Sequence, residues 1–167
     1  MFDEASIQLN LNYELRSRNH MYIIPNVSWS WLSWEADLIS FTRAGYMNEY
    51  EIKCTKQDFM NDFSKRKHQN LKRGIAAIRV PNYFWYVAPL DVVPLCIPDY
   101  AGLMVASIHP ANLGLMVFEV VKKPVMIHKL KVPDKGKLAM LNAGMMKYWN
   151  AARTINQYVR RQSYQGE

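Results

Sequence analysis

Cysteine is scarce in this sequence: Cys54 and Cys96 are its only two, too few for a disulfide framework or a thiolate metal cluster. The four histidines include no pair at zinc-ligand spacing. No stretch approaches the roughly 20 apolar residues that a membrane-spanning helix needs. The first ten residues, MFDEASIQLN, carry acids and lack the apolar core of a signal peptide. These absences predict a cytoplasmic protein that does not bind membranes.

What the chain does contain is typical of one folded domain. Half of its 167 residues are hydrophobic and 13% are aromatic, which excludes disorder as the default state. The length suits one sizeable core, and no repeat or linker divides it, so we expect a single domain over residues 1–167. Lysine and arginine outnumber the acids 21 to 14, and the net charge of +7 predicts a surface that attracts a polyanion.

Apolar periodicity and capping residues predict alternating helices and strands. Asp3 can cap the first helix, Thr55 begins the second, and Asp134 begins a long amphipathic helix. The apolar stripe of this last helix is expected to pack inward and consists of Leu138, Leu141, Met145, Tyr148, Ala152, Ile155 and Val159. The order predicts an α/β fold in which helices flank a central mixed β-sheet, with a meander of three strands and a crossover to a parallel one. The predicted elements are helix 3–19, strand 21–29, a hairpin over 34–54, a helix from 55 into 65–73, strands 82–88, 102–108 and 115–121, and helix 134–161.

The predicted hairpin brings an unusual set of charges together. If it turns about Ala44, residues whose numbers sum to 88 face each other, so Asp37 lies opposite Glu51 and Glu35 lies opposite Lys53. Directly opposed side chains, and side chains two apart on one strand, share a face of the sheet. Three acids crowded around one lysine are destabilising unless something compensates their charge. A divalent cation bound by the carboxylates is the compensating group that this pattern indicates.

Two short segments, Glu35-Ala36-Asp37 and Glu51-Ile52-Lys53, lie one hairpin apart in the order helix, three strands, helix, strand. In this order they resemble the PD-(D/E)XK nuclease superfamily. The wider pattern, EIKCTKQDFMNDFSKRKH followed by PNYFWYVAP and PDYAGLMV, is similar to small phage and bacterial members, which include a branch associated with DNA repair. The resemblance covers residues 4–108 and implies a restriction-endonuclease-like core in αβββαβ order, followed by C-terminal strands and the helix over 134–161.

The resemblance also implies a metal site. Asp37 and Glu51, with the Ile52 carbonyl, would bind Mg²⁺ or Mn²⁺, and Lys53 would orient the attacking water or stabilise the charged phosphorus centre. The superfamily adds an acid from the first helix, which here is Glu14 or Glu4. Glu14 is favoured because it is nearer the following strand. Glu35 is a further contender because it shares the predicted face, although pairing with Lys53 is an equal alternative.

A basic cluster follows the second predicted helix at the place where DNA would pass the site. Lysine and arginine contacts to phosphates give salt-dependent affinity that is mostly independent of sequence. Trp29, Trp31 and Trp34 are assigned to core and edge positions in preference to stacking on unpaired bases, and His68 to the surface in preference to a phosphate contact. The predicted DNA-binding residues are Lys65, Arg66, Lys67, His68, Lys72 and Arg73.

The sequence thus predicts a metal-dependent deoxyribonuclease of phage or bacterial DNA processing or repair. Both cuts in a duplex would need two active sites, which a homodimer would provide. One alternative is a protein of the same fold that binds nucleic acid without cutting it. Another is a protein-interaction module that docks a partner on the aromatic segment from Trp29 to Trp34.

Overall fold

The computed structural model describes residues 2–28, 31–74 and 79–164, and within them a six-stranded mixed sheet is flanked by helices. The strands lie in sequence order across the sheet. The helices are α1 (Glu4–Ser17), α2 (Lys56–Asp62), α3 (Lys67–Arg73) and α4 (Asp134–Tyr164), and the strands are β1 (Met21–Val27), β2 (Ala36–Phe41), β3 (Met47–Ile52), β4 (Tyr83–Pro89), β5 (Ala101–His109) and β6 (Asn112–Lys122). The prediction of an α/β fold with a mixed sheet is confirmed.

The directions of the strands follow from their connections. β1, β2 and β3 form an antiparallel meander, in which a tight turn joins β2 to β3 and residues 28–35 join β1 to β2. α2 and α3 cross over from β3 to β4, which is parallel to β3, and β5 is in turn parallel to β4. β6 returns antiparallel to β5. The predicted meander and the predicted crossover to a parallel strand are both present.

The hairpin of β2 and β3 has the predicted register. Leu38 pairs with Tyr50 and Phe41 pairs with Met47, so the paired numbers sum to 88. Gly45 has a φ of +85°, a conformation that glycine adopts without the steric cost of a Cβ atom, as the turn requires. The register directs Asp37 and Glu51 to the open end of the hairpin on one face.

The predicted helix caps are present, but one predicted helix is interrupted. The Asp3 side chain accepts a hydrogen bond from the Ser6 N–H at 2.8 Å, and the Thr55 hydroxyl accepts one from the Asp58 N–H at 3.1 Å. The prediction of a single helix from Thr55 through the basic cluster was wrong, because α2 ends at Asp62 and α3 begins only at Lys67. The Lys65 N–H bonds the Asp62 carbonyl three residues back, which is a tight turn that redirects the following lysines toward the sheet.

Two cores cover the two faces of the sheet, and α4 packs beside β1. On one face Ile7, Leu11 and Leu15 of α1 are buried against β2, β3 and β5, and on the other Phe59 and Leu71 of α2 and α3 are buried against β4. Among the described residues no helix has the length and apolar character needed to cross a bilayer.

The apolar stripe predicted to pack along α4 is largely exposed. Leu138 is 59% exposed and Tyr148 66%, while Met140 is fully buried. The face that does pack carries glycines, and a Cβ at Gly144 would lie 2.5 Å from Cγ2 of Ile24. The helix packs against β1 through its small residues, so the predicted apolar stripe faces away from the sheet. Met145, expected to be a packing residue, is exposed for the same reason.

Candidate functional site

Asp37 lies at the start of β2 and is fixed by two neighbouring elements. Its Oδ2 accepts a hydrogen bond from the Ile52 N–H of β3 at 2.7 Å, and its backbone carbonyl accepts one from Gln8 Nε2 of α1 at 2.9 Å. Burial, and after it the charge of Glu51, raise the pKa of Asp37 to about 7. Glu51 therefore lies close enough on the same face for its charge to oppose the ionisation of Asp37.

Glu51 and Lys53 form a buried ion pair on β3. Both side chains are 3% exposed, and Lys53 Nζ lies 2.7 Å from Glu51 Oε1. Burial lowers the pKa of Lys53, but the charge of Glu51 and their hydrogen bond outweigh it and raise that pKa overall. The three residues predicted from the hairpin, Asp37, Glu51 and Lys53, are thus brought together by the structure.

Two further lysines reach the same carboxylate, Lys65 from the turn before α3 and Lys67 from the first position of α3. Lys65 Nζ lies 3.3 Å from Glu51 Oε1, and Lys67 Nζ lies 2.5 Å from Glu51 Oε2. Asp62 of α2 is a second fully buried carboxylate, with its Oδ1 2.7 Å from Lys65 Nζ and 3.5 Å from both Lys53 Nζ and Lys67 Nζ. Three ammonium groups therefore surround two carboxylates.

Asp62 is the anchor of this cluster. Its Oδ2 accepts a hydrogen bond from the Tyr86 hydroxyl at 2.8 Å and lies 2.7 Å from His68 Nε2, while His68 Nδ1 lies 2.6 Å from the Tyr100 hydroxyl. Burial alone would raise the pKa of Asp62, but the His68 hydrogen bond and the Lys67 charge hold it well below its usual range. This role of Asp62 was not predicted from the sequence. The signal was the three-residue spacing from Phe59, which puts Asp62 on the inward face of α2.

Glu49 was also missed. It is fully buried on β3, and its Oε1 accepts a hydrogen bond from Trp34 Nε1 at 2.9 Å. Its Oε2 is buried without a hydrogen-bond partner among the described residues. Burial raises the pKa of Glu49 to about 8, although the Lys67 charge acts in the opposite direction. Alternation along the strand could have found it, because Glu49, Glu51 and Lys53 share one face.

The additional acids expected from the sequence have partners elsewhere. Glu14 bonds Arg18 at 2.7 Å and lies six residues beyond Gln8, or about 9 Å along the helix. Glu4 is one turn before Gln8, bonds its side chain at 3.3 Å, and contributes to the raised pKa of Asp37. Of the two helix acids, Glu4 and not the favoured Glu14 is therefore the one that acts on Asp37. Glu35 forms an ion pair with Lys147 of α4 and not with Lys53.

The predicted DNA-binding cluster is divided by burial. Lys67 and His68 are buried in the network around Asp62, so assigning Lys67 to a DNA-facing surface and His68 to the surface was wrong. Lys65 is half-exposed but ion-paired. The turn after α2 explains why Lys67 and His68 are buried, since it points their side chains inward. The members that are exposed are Arg66, Lys72 and Arg73.

The predicted aromatic group lies only partly within the described residues, since Trp29 falls outside them. Trp31 and Trp34 are half-buried and pack against the core beside β2, as their assignment to core and edge positions requires. Trp34 also packs against the core formed by α2, α3 and β4.

Two carboxylates of this site suit a magnesium-type ion, which takes one or two carboxylates and keeps several waters. Asp37 uses one oxygen for the Ile52 N–H, and the buried Glu51 Oε2 lies 2.5 Å from the Lys67 ammonium. Lys67 therefore occupies the Glu51 oxygen that a metal would use. Within residues 2–28, 31–74 and 79–164, no three His, Cys, Asp or Glu side chains form a ready-made metal group. Binding such an ion through Glu51 would require the metal to replace the Lys67 ammonium at Oε2.

No protein-family model and no curated protein significantly matches the sequence. Among solved structures, a protein of unknown function from Silicibacter pomeroyi is similar over 98% of this chain and 94% of its own, with a TM-score of 0.59 and 13% identity. At that identity the likeness shows a shared fold alone. It extends beyond the segment that resembles the nucleases and includes the C-terminal helix.

Proposed function

We propose that this protein is a metal-dependent deoxyribonuclease that hydrolyses DNA phosphodiester bonds. The observation that carries the proposal is the placement of the half-buried Asp37 and the buried Glu51 on one face across the hairpin, with the pKa of Asp37 raised to about 7 by burial and by the charge of Glu51. A cation bound beside Asp37 would offset both effects and favour its ionised form. The sheet supports a restriction-endonuclease-like core, because its helix, antiparallel meander, crossover and parallel strand follow the order of that superfamily.

The roles of the residues follow from their contacts. Asp37 and Glu51, with the Ile52 carbonyl, would hold Mg²⁺ or Mn²⁺, which when bound acidifies a water and neutralises charge on the phosphate. The Lys53 ammonium would stabilise the negative charge that develops on the scissile phosphate. Glu51 and Asp62 fix that ammonium at 2.7 and 3.5 Å, so it needs no reorganisation during the reaction. Asp62 is a positioning residue in this scheme.

Exposed cations of α3 and the preceding turn supply the proposed DNA path. Arg66, Lys72 and Arg73 are exposed, and Lys65 is half-exposed beside Glu51. Contacts from these groups to phosphates would orient the backbone next to the carboxylates without reading sequence. A homodimer would provide the two sites that cutting both strands of a duplex requires.

The test is a cleavage screen with Mg²⁺ and Mn²⁺ on linear, circular, single-stranded and branched DNA. Alanine is a poor probe here, because at the buried Glu51 or Lys53 it would leave a cavity in addition to removing a charge. Asp37→Asn, Glu51→Gln and Lys53→Met keep the shape, and each should lower the cleavage rate by about 100-fold or more. Glu14→Gln is the matched control and should keep full activity. Full activity in any of the three site variants, confirmed folded by circular dichroism, would refute the assignment.

The second candidate is a protein of this fold that binds nucleic acid without cutting it. The Lys67 ammonium 2.5 Å from Glu51 Oε2 favours this reading, because it already neutralises the carboxylate that a metal would use. Calorimetric titration with Mn²⁺ separates the two. A nuclease should bind Mn²⁺ and lose that binding in Glu51→Gln. A protein that binds nucleic acid without cutting it should give the same Mn²⁺ titration heats for the wild type and for Glu51→Gln.

A further inference from the structure

A cavity of about 690 Å³ opens beside the carboxylate pair. It lies between the segment preceding β2 and the start of α3. Its volume is within the range of about 300–1,000 Å³ that is usual for small-molecule sites. It is continuous with the site, because Lys65 and Lys67 line it and also contact Glu51. The lining residues are Ser33, Trp34, Glu35, Lys65, Arg66, Lys67 and Asn70.

The charge on the cavity wall favours an anion. Arg66 is exposed and forms no ion pair with any described residue, and the charge of Glu35 is matched by Lys147. Behind Arg66, the ammonium groups of Lys53, Lys65 and Lys67 are matched in number by the carboxylates of Glu51, Asp58 and Asp62, so the unmatched positive charge at the wall is that of Arg66. A phosphate is the anion that lysine and arginine side chains at such a wall bind well.

Trp34 supplies a flat apolar surface in the same cavity. Its indole orientation is fixed, because Nε1 donates to the buried Glu49 carboxylate at 2.9 Å. In the described part of the chain no aromatic ring stacks against Trp34. A rigid indole next to a cationic wall is the combination with which proteins hold unpaired bases. A base inside a duplex is already stacked on its neighbours and must leave the stack to make such a contact.

We propose that this cavity receives one unpaired nucleotide, with its base on Trp34 and its phosphate between Lys65 and Arg66. The substrate class of the site is then single-stranded DNA or an unpaired end or branch, and intact duplex is the poorer ligand. The choice of DNA rests on the proposed nuclease function. The preference for unpaired strands can be measured without cleavage.

The test is fluorescence anisotropy in EDTA with a labelled oligothymidylate and a blunt-ended duplex of the same length. The wild-type protein should bind the single strand more tightly. Trp34→Leu should weaken single-strand binding by about 10-fold or more while changing duplex binding little. Trp34→Phe retains a ring without the N–H and should keep most of the affinity. Trp149→Leu, at an exposed tryptophan of α4, is the matched control and should bind as the wild type.

Three outcomes would overturn the inference. The first is single-strand binding that is unchanged in a folded Trp34→Leu protein. The second is an equal loss for single strand and duplex, which would make the cavity part of a general DNA groove. If Trp34→Leu fails to fold, Arg66→Glu replaces it as the test, because Arg66 is exposed and its reversal should reduce the preference for single strands. The third outcome against the inference is a preference for single strands that is unchanged in Arg66→Glu. Tight single-strand binding without Mn²⁺-dependent cleavage of any DNA would refute the nuclease function and leave this inference standing.

Discussion

Two lysine-rich regions of the molecule use their charge in opposite ways. Around Asp62, Lys53 and Lys67 are nearly inaccessible to solvent and are neutralised by buried carboxylates. The C-terminal region, residues 122–167, carries ten of the 21 lysines and arginines but only two of the 14 acids. Its net charge is +8, whereas residues 1–121, with 11 basic and 12 acidic residues, have a net charge of −1. The positive charge of the protein therefore belongs to one end of the chain.

The difference shows that local density of basic residues is a poor guide to the charge a partner meets. The segment from Lys65 to Arg73 is the densest basic run, yet Lys67 and His68 are used inside the fold. The C-terminal region has no comparable run, but Lys135 and Arg153 of α4 are exposed and form no ion pair with a described residue. Buried charges are matched by partners inside the fold, and exposed unpaired charges set the field around the protein.

The largest effect should come from reversing a buried charge. Lys67→Glu would place a third carboxylate beside Glu51 and Asp62, and we expect it to lower the free energy of unfolding by about 3–5 kcal/mol or to prevent folding. Lys135→Glu makes the same substitution at an exposed position of α4 and should change stability by no more than about 0.5 kcal/mol. Urea titration followed by circular dichroism measures both. Similar stabilities for the two variants would mean that Lys67 is not buried in solution.

A smaller effect should appear in the pH dependence of stability. Burial raises the pKa of Glu49 to about 8 from its ordinary value near 4.5. When folding raises the pKa of a carboxyl group, its contribution to stability is fully present below the pKa of the unfolded chain. That contribution is lost as the pH rises through the pKa of the folded protein. The wild type should therefore lose a few kcal/mol relative to Glu49→Gln between about pH 5 and pH 9. Glutamine preserves the acceptor for Trp34, so the comparison isolates the ionisation.

The control for this experiment is the exposed Asp134 at the start of α4, whose pKa its Lys137 partner holds below the usual value. It is ionised throughout that pH range, so Asp134→Asn should follow the wild-type curve. Asp62 should act with the opposite sign to Glu49. Because its pKa is lowered in the folded protein, Asp62 contributes stability at pH values above its ordinary pKa near 3.8. That stability is lost as the pH falls. A Glu49→Gln curve parallel to the wild type would show that Glu49 ionises normally.

Much of the fold could be predicted because it depends on local patterns. The register of the hairpin followed from placing its turn about Ala44, and Asp3 and Thr55 capped the helices they were expected to cap. The pairing of Asp37 with Glu51 then required only the register. These features are encoded within a few residues of each other, which is why one sequence is enough to find them.

The rest of the site depends on contacts that cross the chain. Asp62 meets Tyr86 and His68 because the turn after α2 folds back on β4, and no local pattern specifies that turn. The prediction that the apolar stripe of α4 faces inward was wrong for a related reason. The helix has one face with small residues such as Gly144 and another with large ones, and only packing against Ile24 selects between them.

The smallest effect should separate the exposed cations of α3 from those of α4. Lys72→Glu/Arg73→Glu removes proposed phosphate contacts, so DNA binding should weaken and the slope of log K against log salt should fall by about 2. Lys135→Glu/Arg153→Glu has the same charge change but acts through the field of the C-terminal region. It should slow association at low salt and have little effect near physiological salt, where the Debye length is about 8 Å. Salt titrations and stopped-flow association with the same DNA measure the two effects. A larger change in slope from the α4 pair would place the DNA path along α4 and leave α3 outside it.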